Sequence, residues 1–544
     1  MANKNLFQSL AGKLLPKTNV VNEAGGNAYA FGPEHALAQL AATGCLNATF
    51  YASAETQLTH VVELASKVDP KFLAKVAIYA REQGLMKDMP AVLVAILSVR
   101  DPALFAVTFD RVIDNSKMLR TFVQVMRSGQ VGRKSLGTRP KKKILGWLEK
   151  QSDDQLFRAS VGDAPSLADV VKMVHPKPAS ASRRALYGYL IGKDHVAADL
   201  PPLASAFEAY KSDASGDVPD VPFQLLTSLS LGPAQWAAIA KNASWQTTRM
   251  NLNTFSRHGV FEIAGMTELV AARLRDPQAI AKARVFPYQL LVAYLATRGT
   301  SAGVAPRADP TQLCRPGSPG TPAEGVPPLV VDALHDAMEH ATHNVPSLEG
   351  KKVWVLLDVS GSMASPITGH RQGATTAARC VDVAALFAAT MLRRNADAEV
   401  VCFDTEPRPV RLERRDSVLT NARVLAAVGG GGTNTSSALA QLNAQRVKAD
   451  LVVYVSDNES WMDAGPVGKH TATMAAWNEL VARNPSAKLV CIDLTPNAHT
   501  QASDRQDILN VGGFSDEVFR VVHAFASGGL ATGHWVSVID SITV

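Results

Sequence analysis

Residues 351–363 read Lys-Lys-Val-Trp-Val-Leu-Leu-Asp-Val-Ser-Gly-Ser-Met, and the fold of the C-terminal part turns on them. The apolar run Val353–Leu357 is short and β-branched, and it gives way at once to Asp358, Ser360 and Ser362. A strand of a parallel sheet has this composition, because helices bury both of its faces. Working outward, the same grammar recurs on the C-terminal side only. Glu399–Phe403, Leu451–Val455, Lys488–Ile492 and Trp535–Ile539 are further runs of this kind. Helical patterns lie among them at Thr375–Arg394, Ser417–Ala427, Ser436–Gln445, Thr471–Arg483 and Asp516–Ala526. The alternation predicts a doubly wound α/β domain over residues 350–544, with its binding site at the C-terminal edge of the strands.

On the N-terminal side, residues 1–349 read as all-α. Ala and Leu recur at three- and four-residue spacing in His35–Ala42, Leu58–Lys67, Lys71–Gln83, Met89–Ser98 and Pro102–Asp114. Asp69-Pro70, Gly84, Asp101-Pro102 and Asp276-Pro277 punctuate the pattern. Short helices joined by short turns suit a helical-repeat solenoid, although an irregular helical domain would leave the same trace. Residues 300–328 hold seven prolines and four glycines and predict a surface loop or linker. One further helix is expected from Leu329 to Thr342.

No apolar run approaches the roughly 18 residues that a membrane span needs, and the amphipathic start has no signal-peptide core. The five cysteines (45, 314, 380, 402 and 491) are odd in number and scattered. They suit neither a disulfide framework nor a zinc knuckle, and a reducing cytoplasm is the expected compartment. The formal charge of +6 hides an uneven distribution. Residues 1–350 carry 37 basic against 30 acidic side chains, and residues 351–544 carry 18 against 19. From Asn115 to Lys143 there are nine Lys or Arg and no acid, a strong local positive field.

Three stretches at predicted strand ends carry oxygen ligands. They are Asp358-Val-Ser360-Gly-Ser362, the glycine loop Gly429–Gly432 with Thr433, and Ser456-Asp457-Asn-Glu459. Hard oxygen donors with few charges suit Mg²⁺, or Mn²⁺, rather than zinc. The alternative is that Asp358 caps the following helix and the glycines turn the chain. Taken together, the D-x-S-x-S turn, the Gly-Thr loop and the later Asp resemble the metal-ion-dependent adhesion site of von Willebrand factor A domains. That resemblance implies that Asp358, Ser360, Ser362 and Thr433 coordinate a divalent metal and that Asp457 does so directly or through water. An open coordination position would then take a carboxylate from a protein partner. Enzyme motifs are missing: there is no H-E-x-x-H and no G-x-S-x-G, and Gly465–Lys469 does not complete a phosphate loop. Asp336, His340 and His343 share a helix face but read as solvated surface. No catalytic residue is expected.

The basic run contains Gly129, Gly132, Gly137 and Pro140, which predicts a helix end, a glycine-rich connector and a helix start. Arg133, Lys134, Arg139, Lys141, Lys142 and Lys143 would attract a polyanion, though a solvated basic face has the same composition. Downstream, His175-Pro-Lys177-Pro sets an imidazole and an ammonium on a proline-stiffened backbone, where His175 can bond a phosphate or stack on a base. A buried helix-end histidine is the plainer reading.

An all-helical basic half joined to a metal-site A domain resembles the TROVE family of Ro-type proteins. The resemblance runs nearly end to end, through Asn22-Glu-Ala-Gly-Gly-Asn-Ala, Gly132-Arg-Lys134, His175-Pro-Lys-Pro, Ala283-Arg-Val-Phe-Pro287 and the three A-domain motifs. It implies a HEAT-like ring over residues 1–349 whose ends the A domain brings together. It further implies Y RNA on the basic outer surface and single-stranded 3′ ends of misfolded or structured non-coding RNAs in the hole. An exoribonuclease partner in RNA quality control would complete the picture. His175 falls on the family's RNA-contacting histidine and Arg158 roughly on a basic position of similar use. The competing reading is a metal-dependent protein-adhesion scaffold that binds no RNA.

Overall fold

The computed structural model describes residues 15–22, 24–43, 54–84, 86–162, 164–297, 325–367, 378–461, 470–495, 499–503, 505–514, 517–528 and 534–544. Most of the 300–328 segment expected to be a loop lies outside the described residues, as does Gly465–Lys469. An α-helical region precedes an α/β domain.

Packing divides the chain into two compact units. One comprises residues 1–57 and 267–538, the other residues 58–266 and 539–544. The change from helical to strand–helix pattern does fall between Thr342 and Val353. The packing, however, gathers the first 57 residues and the helices after 267 with the A domain, a grouping that periodicity does not reveal.

In the first unit, β3 (Val353–Asp358), β4 (Ala398–Phe403), β5 (Pro407–Arg408), β6 (Leu451–Ser456), β7 (Lys488–Asp493) and β9 (Ile508–Gly512) form one sheet in the order β5-β4-β3-β6-β7-β9. All pairings are parallel except that of the edge strand β5. β3 lies between β4 and β6, so the chain leaves it toward one side and later returns to the other. That reversal opens a crevice at the strand ends, where Asp358 closes β3. Helices Thr435–Ala444 and Ala472–Arg483 cover one face around the fully buried Trp477, whose indole N–H donates to Asp507 at 2.9 Å. A second, three-stranded sheet pairs β1 (Val20–Val21) with β2 (Asn27–Ala30) and β2 with β8 (His499–Thr500), all antiparallel.

One expected strand is not there. Trp535–Ile539 forms part of a helix, His534–Asp540, and the sheet edge is taken by β9 instead. Short apolar runs fit either state by pattern alone, and Val536 and Ile539 sit three apart as a helix requires.

In the second unit the expected helices are present, including Pro70–Glu82, Asp88–Arg100, Pro102–Val112, Ser116–Ser128 and Thr138–Lys150. The Asp-Pro dipeptides explain their starts. Asp69 accepts from the amides of Lys71 and Phe72, and Asp101 from those of Ala103 and Leu104. Pro70 and Pro102 meanwhile occupy first-turn positions that need no donor. Phe105, Phe109 and Phe122 form the aromatic centre, with ring centroids 5.2–5.9 Å apart.

Candidate metal centre and basic face

The three oxygen-bearing loops meet at the C-terminal end of β3. Asp358 is fully buried; its Oδ1 accepts from the Ser360 amide at 2.8 Å and its Oδ2 from the Ser456 hydroxyl at 2.5 Å. The Ser360 and Ser362 hydroxyls lie 3.2 Å apart, and Ser362 in turn hydrogen-bonds Asp457. The Gly361 amide donates to the Gly431 carbonyl at 2.9 Å, which ties the first loop to the glycine loop. Ser460 donates to the carbonyl of the buried Thr433 at 3.3 Å, tying the third loop to the second. The glycines are there for close approach. A methyl on Gly429 would stand 1.8 Å from the Val359 carbonyl oxygen, and one on Gly431 would stand 2.6 Å from Asp404.

The electrostatics bear on whether these residues fit a cation. Burial is the main force raising the Asp358 carboxyl above the ordinary carboxylate range. Burial first, and then the Asp358 charge, push Asp457 up to about 7. Among the described residues neither carboxylate meets a basic side chain. Two desolvated, mutually repelling acids surrounded by hydroxyls need a positive charge to stay ionised together. The donor set is hard oxygen throughout, and among the described residues no three of His, Cys, Asp and Glu converge to offer a softer site. The residues therefore fit Mg²⁺ or Mn²⁺.

Sequence reasoning missed Asp404, one residue past β4. It is buried, and although burial raises its pKa, the Arg408 guanidinium at 2.9 Å and the amides of Glu406 and Gly431 bring it below the usual value. Its own carbonyl accepts from the Asn434 amide, so Asp404 frames the glycine loop from both ends. A carboxylate at a second strand end was the available signal. Ser456 and Glu459 belong to the third oxygen-bearing stretch read from the sequence but were assigned no role of their own. Glu459 is fully buried, 3.6 Å from His499 and 3.3 Å from the Ala24 amide.

In the second unit the basic run has the expected form. Helix Ser116–Ser128 ends at Gly129 in the left-handed conformation, and Thr138–Lys150 begins after Gly137. Lys134, Arg139, Lys141 and Lys142 are exposed, and among the described residues they meet no carboxylate. Arg133 is half-buried over Gly137. Lys143 is paired with Asp110 at 2.6 Å, Lys117 with Asp88 at 3.1 Å and Arg158 with Asp220 at 2.7 Å, so their charge is already compensated. His175 closes helix Leu167–Val174 in the left-handed conformation and is exposed rather than buried, with Lys177 exposed beside it. Asp336 pairs with Arg275 at 3.4 Å, in keeping with a surface role. Among the described residues no helix is long and apolar enough to cross a membrane.

Residues 352–526 match the family model of the Ro60 vWA domain. Over 560 aligned residues, covering 96% of this chain and 99% of the relative, the sequence is 26% identical to the RNA-binding protein RO60 of Deinococcus radiodurans. The crystal structure of the Deinococcus radiodurans RO (RSR) protein superposes with a TM-score of 0.60 at 23% identity, covering 92% of this chain and all of that one. The resemblance read from the motifs is thus met by sequence and by fold.

Proposed function

We propose that this chain is the RNA-binding core of a Ro-type ribonucleoprotein. The reading is carried by its end-to-end similarity to a protein named for RNA binding. The exposed cations Lys134, Arg139, Lys141 and Lys142, which meet no carboxylate among the described residues, support it together with His175 and Lys177. These side chains supply phosphate contacts, which give affinity without base readout. Selectivity comes from strand state: an unpaired strand offers its base faces for stacking while its backbone is gripped, and a duplex does not. The RNAs proposed are Y RNA on the basic face and single-stranded 3′ ends of misfolded or structured RNAs, passed on to an exoribonuclease. The work is recognition, and no group in the chain is assigned a chemical step.

For the metal centre we propose a divalent ion, Mg²⁺ in the first place, held by Asp358, Ser360, Ser362, Thr433 and Asp457. Once bound, it offers a Lewis-acidic position for a carboxylate on a protein partner. The cytoplasm is the proposed compartment. The test combines His175→Ser with Lys141→Ala and Lys142→Ala and measures affinity for a small structured RNA with a single-stranded 3′ tail. The triple variant loses affinity while Asp358→Ala keeps it. Protein that binds no such RNA, but loses protein partners on chelation, would instead be an adhesion scaffold.

A further inference from the structure

The loop that carries Asp457 is held from outside by a piece of chain more than 400 residues away in sequence. The turn between β1 and β2 is closed on itself: the Asn22 amide donates to the Gly26 carbonyl at 2.7 Å and the Gly25 amide to the Asn22 carbonyl at 3.0 Å. The Asn22 side chain then does two things at once. Its Oδ1 accepts from the Gly26 amide at 2.7 Å, and its Nδ2 donates to the Ser460 carbonyl at 2.8 Å. Gly26 lies so close to that carbonyl that a methyl there would stand 2.0 Å from its oxygen. The Ala24 amide donates to Glu459 at 3.3 Å.

From the far side β8, itself paired to β2, completes the grip. Asn458, left-handed at φ 63°, donates through its side chain to the His499 carbonyl and accepts from the Gln501 amide, both at 3.4 Å. Residues 458–460 are therefore fixed at three consecutive positions, and Asp457 is the next residue back. Asp457 shares a buried site with the Asp358 carboxylate of another loop, and the contacts made by residues 458–460 hold its own loop in place there.

We propose that Asn22 and Gly26 are positioning residues of the metal centre, setting its affinity through the Ser460 carbonyl. The inference rests on the metal reading given above. It makes the start of the chain part of the A-domain site. Loss of partners around a metal ligand costs about 10- to 100-fold in affinity. Asn22→Asp keeps the acceptor for the Gly26 amide and removes the donor to Ser460. Gly26→Ala removes no hydrogen-bonding group and displaces the loop.

Mn²⁺ binding to the full-length protein is measured by the loss of the free-ion electron paramagnetic resonance signal. Thermal melts without metal run in parallel, with Asn19→Ala and Asp358→Asn as controls. Asn19 serves the same hairpin, accepting from the Ala30 amide, but does not touch the loop. The expected result is a dissociation constant raised by at least about tenfold in Asn22→Asp and Gly26→Ala. In Asn19→Ala it stays at the wild-type value, whatever each variant does to the metal-free melt. Wild-type affinity in both turn variants overturns the inference while leaving the metal reading intact. Wild-type protein that binds no Mn²⁺, indistinguishable from Asp358→Asn, overturns both.

Discussion

Replacing Lys141 and Lys142 by alanine removes two exposed cations that meet no carboxylate among the described residues. If each neutralises one phosphate, the slope of log affinity against log salt becomes less steep by about 0.7 per contact on a single strand and about 0.9 on a duplex. Two contacts change it by roughly 1.4–1.8, so the deficit of the variant shrinks by about tenfold between about 50 and about 200 mM salt. Lys143→Ala is the internal control, because Asp110 at 2.6 Å already compensates that ammonium. Its slope stays near the wild-type value. The assay is fluorescence anisotropy of a labelled structured RNA with a single-stranded 3′ tail, titrated at several salt concentrations. An unchanged slope in Lys141→Ala/Lys142→Ala refutes the reasoning. So does a Lys143→Ala effect as large as that of either exposed lysine, since local ion pairing would then have no bearing on phosphate contact.

Further outcomes follow from the same geometry. Mg²⁺ at 100 times its dissociation constant should stabilise the protein by about 2.7 kcal/mol, seen as a rise in melting temperature that EDTA reverses and Asp358→Asn abolishes. A methyl on Gly429 meets the Val359 carbonyl oxygen, so Gly429→Ala is expected to cost ~1–3 kcal/mol in urea unfolding; a neutral effect would mean the two loops are not in contact. Burial, and then the Arg257 charge, lower the pKa of His258, whose ring stacks on Trp236 at 4.1 Å. The unfolded chain then takes up the proton first, so this group's contribution holds above about pH 6.5 and is lost as the pH falls below it. His258→Phe should flatten the acid limb of the stability profile there, and an unaltered limb would count against the assignment.

What the sequence revealed and what it hid divide along physical lines. Val353–Asp358, Leu451–Ser456 and Lys488–Asp493 are legible because a strand covered on both faces must be apolar throughout. β9 escaped because its centre is Asn510, a polar residue made tolerable by bonds to Thr500 at 2.8 Å and to the Ala502 carbonyl at 2.9 Å. Those partners lie ten and eight residues back, at β8 and just after it, and no strand or helix periodicity announces the pairing. The vacancy was then filled, wrongly, with the β-branched run at 535–539. The residues proposed to hold a metal were named from three short motifs at strand ends, and the fold brings those three loops together. The role proposed for Asn22 and Gly26 was not legible, because the bond from Asn22 to Ser460 spans 438 positions and exists only once the sheet has formed. The basic run was visible as a count, yet which of its charges are spent on Asp88 and Asp110 is a matter of packing.

The central claim is that this chain binds RNA through its helical part, and the nucleic acid content of the protein itself tests it most directly. Protein purified at low salt is examined by its 260/280 nm absorbance ratio before and after RNase, and any bound RNA is sequenced. The account predicts a nuclease-sensitive excess at 260 nm, small structured RNAs among the sequences, and loss of both in the His175→Ser, Lys141→Ala, Lys142→Ala variant. A preparation free of RNA that also fails to bind small structured RNAs when they are added would contradict it.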